Sequence, residues 1–327
     1  MDWFERLTGI DEQTSEQVRQ QISVDGEFLL CPNGNRLAFG RLETPSLAEL
    51  RRRVNDVEPS GGGLRVREVV GDVRQLHADQ TNAGALFQVA SQFNLLEMTG
   101  PSVTPEQGVG IYENDLTQGP ACAIACGAGT IYRNYFAPVG KQIGQSAAHQ
   151  IDCSSDLGSL LENENGKLWT MNNGYLFPTD EGLDRITATL RSTNEDELDR
   201  YRASLRIGLQ WNTAVTLPDA KHQVSQAYCS ALPVAYGRQP MEAWSDFAQL
   251  ILEAAYESTI CAAIINYSNK VFLTLLGGGV FGNQDDWIMN AMQRAMCKYS
   301  DHQLDVAIVS YGSSKDYVAK MVARWDC

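Results

Sequence analysis

Apolar and polar positions follow two different periods along this chain. In Leu64-Arg65-Val66-Arg67-Glu68-Val69-Val70 they alternate, as in a strand with one covered face. Ala85 to Ala90 is apolar apart from Gln88, and Leu304 to Tyr311 carries few polar residues. Short runs of this kind predict strands buried on both faces. Leu209 to Val215 and Gln223 to Ala235 predict further strands. Helical spacing takes over at Trp244, Phe247, Ile251, Leu252 and Ala255, which predicts an amphipathic helix with these residues on one side. A small-residue helix is expected from Gly119-Pro120, with proline suited to its first turn, to about Tyr135. A charged helix is expected around Glu195 to Arg206, and a terminal one reaching Trp325. Ser46-Leu47-Ala48-Glu49-Leu50 begins another, with Thr44 or Ser46 as its cap. The run Arg51-Arg52-Arg53 that continues it reads as a solvated face.

Strands alternating with helices predict an α/β fold with a mostly parallel sheet covered on both faces. Ligands of such sheets bind beyond the carboxyl ends of the strands. Residues 1–60 read as an N-terminal accessory segment ending near a hinge, Ser60-Gly61-Gly62-Gly63. Residues 61–327 read as one domain. The rhythm breaks at about 145–205, where Asn163-Glu164-Asn165-Gly166 marks a polar turn, so an insertion is expected there. Residues 99–119 form a long loop rich in Gly, Pro, Glu and Asp, and long loops inside compact domains usually carry function.

One junction points to a ligand. The strand-like run Val271 to Leu276 breaks into Gly277-Gly278-Gly279, followed by Val280-Phe281-Gly282-Asn283. A helical pattern begins at once with Trp287, Ile288, Ala291, Met292, Ala295 and Met296. Glycines let backbone N–H groups approach phosphate oxygens, and a helix N-terminus adds a favourable dipole. No Lys-Ser or Lys-Thr follows, so this is not the phosphate loop of the common NTPases.

Composition narrows the reading. The chain has 327 residues, 43% of them hydrophobic, enough for a sizeable core. Its formal net charge of −14 argues against a broad nucleic-acid face and suits a basic protein partner. With few cations to spare, backbone amides would have to hold an anion. No apolar run comes near the roughly 20 residues of a membrane helix, and no secretion signal is seen at the start. A cytoplasmic protein is expected, with secretion by a signal-independent route left open. None of the eight cysteines forms a C-x-x-C pair, and Cys122 and Cys126 read as close helix packing. The four histidines show no ligand spacing, and His222 reads as structural.

Several loops resemble those of macrodomains, the ADP-ribose-binding α/β/α modules. Gly71-Asp72-Val73 is similar to the Gly-Asp-Ile element that opens them. Leu86–Ala90, continuing into Ser91-Gln92-Phe93-Asn94, resembles the strand that ends in an asparagine-rich turn. Gly108-Val109-Gly110 through Pro120 resembles the first ligand loop, and Gly277–Asn283 the second, phosphate-clasping one. The resemblance covers roughly residues 64–325. Two phrases, Gly84 to Asn94 and Asp115 to Ile124, are similar to a divergent branch that includes a Legionella effector removing ADP-ribose from ubiquitin arginine.

The resemblance implies a three-layer α/β/α fold with a mixed, mostly parallel sheet. Asp72 would accept a hydrogen bond from the adenine amino group. Gly277, Gly278, Gly279, Val280, Phe281, Gly282 and Asn283 would wrap the diphosphate and distal ribose. Ser91, Gln92 or Asn94 would reach that ribose, the usual Asn-Ala-Ala-Asn being absent, and Tyr311 would lie near adenine. The activity implied is an ADP-ribosyl hydrolase acting on a modified protein, ubiquitin among the candidates. ADP-ribose would be ligand or product, with no cofactor or metal required. A non-catalytic ADP-ribose reader and a hydrolase of free ADP-ribose metabolites are the alternatives.

Hydrolysis at the anomeric carbon passes through an oxocarbenium-like state, which a carboxylate can stabilise or serve by activating water. Asp115 is the first candidate by position, ahead of Glu113, with a helix cap as its structural alternative. Asp285 and Asp286, at a helix start, are further candidates.

Overall fold

The computed structural model describes residues 1–58, 61–266 and 268–325, so Ser60 of the expected hinge lies outside the described residues. Seven strands form the central sheet: β1 (Arg41–Glu43), β2 (Leu64–Val70), β3 (Leu86–Ala90), β4 (Gly208–Ala214), β5 (Gln223–Cys229), β6 (Lys270–Leu273) and β7 (Leu304–Ser310). Their order across the sheet is β1-β4-β5-β3-β6-β7-β2. The five from β5 to β2 are parallel, and β4 is antiparallel to both β5 and β1. The sheet is mixed and mostly parallel, as the alternation of strands and helices predicts.

Side-chain alternation along β3 sorts the helices onto two faces. Phe87 stacks on His77 of the helix Val73–Ala78, ring centroids 3.8 Å apart, and on Phe272 of β6 at 4.4 Å. Its neighbour Gln88 points the other way and donates Nε2 to Thr259 Oγ1 at 2.9 Å, on the helix Met241–Ile265. Helices therefore cover both faces, which gives three layers.

Met241–Ile265 is the core helix, packed on Leu47–Asn55, Asp180–Ser192 and Asp285–Lys298. Its expected one-sidedness does not hold: every residue from Ala254 to Ile264 is buried, because neighbours close around it. It is also long and apolar enough to cross a bilayer, contrary to the sequence expectation, although 83% of its apolar window is buried inside the fold. Glu257, on this helix, is fully buried and accepts from Arg51 Nε at 2.6 Å, Arg294 Nη1 at 2.7 Å, Lys298 Nζ at 2.7 Å and the Tyr299 hydroxyl at 3.1 Å. Burial opposes its charge, but the bonds from Arg51 and Lys298 prevail and hold the carboxyl at about 2. Arg51 is thus an interior partner rather than part of a solvated face.

The expected helix from Gly119 to Tyr135 is two helices, Gln118–Ala125 and Gly127–Tyr135, broken at Cys126. Thr216 explains the break: its Oγ1 accepts the Gly127 N–H at 2.9 Å and its amide donates to the Ala125 carbonyl at 2.8 Å. Cys122 and Cys126 are buried and unbridged, in line with close helix packing. At the N-terminus, Trp3, Phe4, Ile10, Val18 and Leu29 pack with Val109, Tyr112, Ile131 and Tyr135 in a second core. Arg41–Glu43 joins the main sheet. Leu47–Asn55 starts from a Ser46–Glu49 capping box and buries Leu47, Leu50 and Val54 in the main core.

Candidate functional site

A cavity of about 660 Å³ opens beyond the carboxyl ends of the parallel strands. Each of the five contributes residues that follow it: Gly71 and Asp72 after β2, Ser91 and Gln92 after β3, Ala231 after β5, Thr274–Phe281 after β6, and Tyr311 after β7. Residues Glu113, Asp115, Thr117 and the start of the helix Gln118–Ala125 join the lining.

The glycine loop is shaped by what ends β6. That strand stops at Leu273, before the apolar run does. The Tyr256 hydroxyl then donates to the Thr274 carbonyl at 2.7 Å and accepts the Leu276 N–H at 2.9 Å, standing in for strand pairing. Gly277 has φ +75°, and a Cβ there would come within 2.5 Å of Ala231 Cβ, so only glycine fits. Asn283 closes the loop from behind, its amide donating to the Gly277 carbonyl at 2.9 Å and its Nδ2 to the Leu232 carbonyl at 2.8 Å. Among the described residues, the amides of Gly277, Gly279, Val280 and Phe281 donate to no protein group. They line the cavity and are available to an anion. Phe281 packs with Tyr175 and Tyr236, ring centroids 5.3 and 5.8 Å away.

Asp115 Oδ1 accepts from the Thr117 amide at 2.8 Å and its hydroxyl at 2.6 Å, forming the turn that leads into the helix Gln118–Ala125. Thr117 takes the N-cap position itself, without a side-chain cap bond. Gln118 ties this helix to β3, donating Nε2 to the Gln88 carbonyl at 2.9 Å and accepting the Ala90 amide at 2.8 Å. The helix comes so close that a Cβ on Gly119 would lie 2.1 Å from the Ala90 carbonyl oxygen. Glu113 is held by the N-terminal segment: the Arg6 guanidinium keeps its carboxyl below the usual range.

Of the residues singled out by sequence, Asp72, Ser91, Gln92, Glu113, Asp115, Gly277 to Phe281 and Tyr311 all line the cavity. Asp72 also caps the helix Val73–Ala78, accepting the Arg74 amide at 2.7 Å. The Gln92 amide group is spent on the Met98 backbone, at 2.6 and 3.3 Å. Five others lie off the lining. Asn94 turns inward, donating to Gln150 Oε1 at 2.8 Å and accepting the Leu96 amide at 3.1 Å. Gly282 and Asn283 form the back of the loop. Asp285 and Asp286 are exposed in the first turn of the helix Asp285–Lys298, where they suit its dipole.

Sequence reasoning missed Glu97, Tyr175 and Tyr236, which also line the cavity. Glu97 and Arg133 are both fully buried, with Arg133 Nη2 3.2 and 3.1 Å from the two carboxylate oxygens. Arg133 Nε donates to the Leu95 carbonyl at 2.8 Å, its Nη1 donates to the Tyr228 hydroxyl, and its guanidinium lies over the Tyr228 ring. Burial pushes the Glu97 carboxyl up to about 7 against the pull of Arg133. The signal available in sequence was a lone acid among Leu95, Leu96 and Met98, and a lone charge, Arg133, between Leu116 and Gly140. Among the described residues, no three His, Cys, Asp or Glu side chains are grouped to hold a metal. His222 is buried and bonded through Nε2 to the His77 carbonyl at 2.8 Å, a structural position.

No family model matches the chain, and no curated protein matches it. Among solved structures it is similar to a poly(ADP-ribose) glycohydrolase from Thermomonospora curvata, with a TM-score of 0.47 and 10% identity over 94% of each chain. It is also similar to a poly(ADP-ribose) glycohydrolase from Deinococcus radiodurans in complex with ADP-ribose. There the TM-score is 0.46 and the identity 11%, over 85% of this chain and 89% of that one. Likenesses of this size leave the functional reading to the cavity itself.

Proposed function

We propose that this chain is an ADP-ribosyl hydrolase of macrodomain type, releasing ADP-ribose from a modified protein. One observation carries the reading: the amides of Gly277, Gly279, Val280 and Phe281, unpartnered among the described residues, and the carboxylate of Asp115 line a single cavity large enough for a dinucleotide-sized ligand. The glycine loop would hold the diphosphate, Asp72 the adenine amino group and Phe281 the distal ribose. Asp115 Oδ2 makes no bond within the protein among the described residues, and it would activate water or stabilise the ribosyl cation. Within this class we propose proteins modified on arginine, ubiquitin included. The net charge of −14 suits a basic partner surface, and salt-insensitive turnover would count against that partner.

The test is a panel of proteins ADP-ribosylated on defined residue types, ubiquitin among them, assayed for released ADP-ribose. Asp115→Ala is expected to lose turnover while binding ADP-ribose as before; full activity in that variant sinks the assignment of Asp115. A non-catalytic reader is the second reading. It is favoured by the commitment of both Glu113 oxygens to Arg6 and Trp3, and of one Asp115 oxygen to Thr117. Binding of ADP-ribose with no release from any member of the panel selects the reader.

A further inference from the structure

We propose that Glu97 is a catalytic residue, the side chain that hands a proton to the leaving atom in the cavity. The inference rests on the hydrolase reading above and adds to it a residue on which that reading does not depend.

Two fully buried glutamates in this fold can be compared directly. Glu257 is bonded by Arg51 through Nε and Nη2, by Arg294, by Lys298 and by the Tyr299 hydroxyl. Its charge is fully matched, and it stays ionised. Glu97 has the same burial and far fewer donors. Arg133 spends Nε on the Leu95 carbonyl and Nη1 on the Tyr228 hydroxyl, so Nη2 remains, shared among the two Glu97 oxygens and Thr130 Oγ1. A carboxylate has about four lone-pair sites to satisfy. One divided donor leaves an interior anion under-bonded, and taking up a proton relieves it. A carboxyl built only to anchor a turn would be served by the fuller arrangement at Glu257. Position is the second argument. Glu97 lines the cavity that holds the glycine loop and Asp115. Its Cγ lies 3.1 Å from where a Cβ of Gly119 would stand, so its stem lies against the start of the helix Gln118–Ala125.

The groups that face Glu97 are Arg133 from the helix Gly127–Tyr135, Tyr112 from the turn Gly110–Asn114, Tyr228 from β5 and Cys122 from the helix Gln118–Ala125. Burial raises both tyrosines and the thiol, so none of them competes for a proton near neutrality. Arg133 stays charged. Glu97 is the group of this cluster that changes state there.

In the reaction, the bond from the anomeric carbon to the leaving atom breaks, its electron pair going to the leaving atom, which takes the proton from Glu97. A water oxygen bonds to the anomeric carbon and gives its proton to Asp115. Transfer of a proton from Asp115 to Glu97 through solvent restores both.

The experiment compares wild type, Glu97→Gln and Glu97→Asp in kcat and KM across pH on an ADP-ribosylated protein. In parallel, binding of ADP-ribose is followed by calorimetry in buffers of different ionisation enthalpy. Glu97→Gln should lose about 100-fold or more in kcat, with KM changed by less than about threefold. The limb of the wild-type profile near pH 7 should vanish with it, as should the proton exchanged on ADP-ribose binding. Glu97→Asp should recover part of the rate and keep a limb. Turnover in Glu97→Gln within about threefold of wild type, or an unchanged limb, overturns the proposal. If Glu97→Gln does not fold, the wild-type profile decides, and absence of a limb near pH 7 overturns it. Wild type that cleaves nothing overturns the hydrolase reading, whereas wild type that cleaves and a Glu97→Gln variant that cleaves equally overturn this one alone.

Discussion

Arg6 Nη2 meets Glu113 Oε1 at 2.6 Å, joining the first helix of the chain to a residue of the cavity lining 107 positions later. The Trp3 amide holds the other oxygen at 3.1 Å, and Trp3 Nε1 donates to the Val109 carbonyl at 3.0 Å. Glu12 accepts the amides of Val109 and Gly110 at 3.1 and 2.7 Å. The N-terminal segment braces the loop that ends in Asp115.

A carboxylate committed in this way is a poor base. Glu113→Gln is therefore expected to lower kcat by less than about tenfold, while Asp115→Asn lowers it by about 100-fold or more. Steady-state rates of the two variants on one ADP-ribosylated protein decide it. A Glu113→Gln loss as large as that of Asp115→Asn would transfer the role.

The glycine loop separates two kinds of glycine. Gly277 needs a positive φ, and a Cβ added there would meet Ala231 Cβ at 2.5 Å and Asn283 Nδ2 at 2.6 Å, so Gly277→Ala should destabilise the fold by about 1–3 kcal/mol. Gly279 has nothing among the described residues within 4 Å of such a carbon and no such φ. Gly279→Ala should leave the melting temperature unchanged and still weaken ADP-ribose binding, because the added carbon stands where phosphate oxygens would approach. Thermal melts beside calorimetric Kd values test the pair; unchanged affinity in Gly279→Ala argues against a phosphate on this loop.

His77 and Glu97 make opposite contributions to stability against pH. His77 is fully buried, donates Nδ1–H to the Val73 carbonyl at 2.8 Å and accepts from Gln226 Nε2 at 3.1 Å, which defines a neutral ring. Burial lowers its pKa from 6.5 to about 4. As pH falls through that window the unfolded chain binds the proton first, and stability is lost, about 3 kcal/mol in full. Glu97, raised from 4.5 to about 7, binds its proton first in the folded state, so stability is gained as pH falls from 7 to 4.5. The two offset across the shared window. Urea midpoints of wild type should change little there, while those of His77→Gln should rise as pH falls. A variant that tracks wild type at every pH would remove His77 from this account.

The legible part of the fold was the part with a period. β2, β3, β6 and β7 each show in their own residues, and the glycine loop announces itself by composition. What stayed hidden depends on partners distant in sequence. Nothing local turns Asn94 inward to Gln150, or makes β6 end at Leu273 under the Tyr256 hydroxyl. Met241–Ile265 looked one-sided because sequence shows a helix's own residues and not the neighbours that enclose it. Glu97 was overlooked for the same reason: its environment is Arg133, 36 positions on, and the pairing exists only after the helix Gly127–Tyr135 packs beneath the turn that carries Glu97.

Tyr175 comes from the stretch 145–205, the segment that interrupts the regular alternation, yet its ring sits 5.3 Å from Phe281 and its hydroxyl bonds the Met98 carbonyl at 2.7 Å. The cavity therefore has two origins. Its floor is set by where parallel strands end and is tied to the whole sheet. One flank is supplied by a local excursion of the chain, the short hairpin Trp169–Asn172 and Tyr175–Pro178, which among the described residues pairs only with itself. Because the hairpin joins no strand of the central sheet, its exposed residues, such as Thr170 and Asn172, can diversify without disturbing strand order, while Trp169 and Leu176 stay buried in the main core. The protein can change what it accepts at this flank while keeping how it grips an anion.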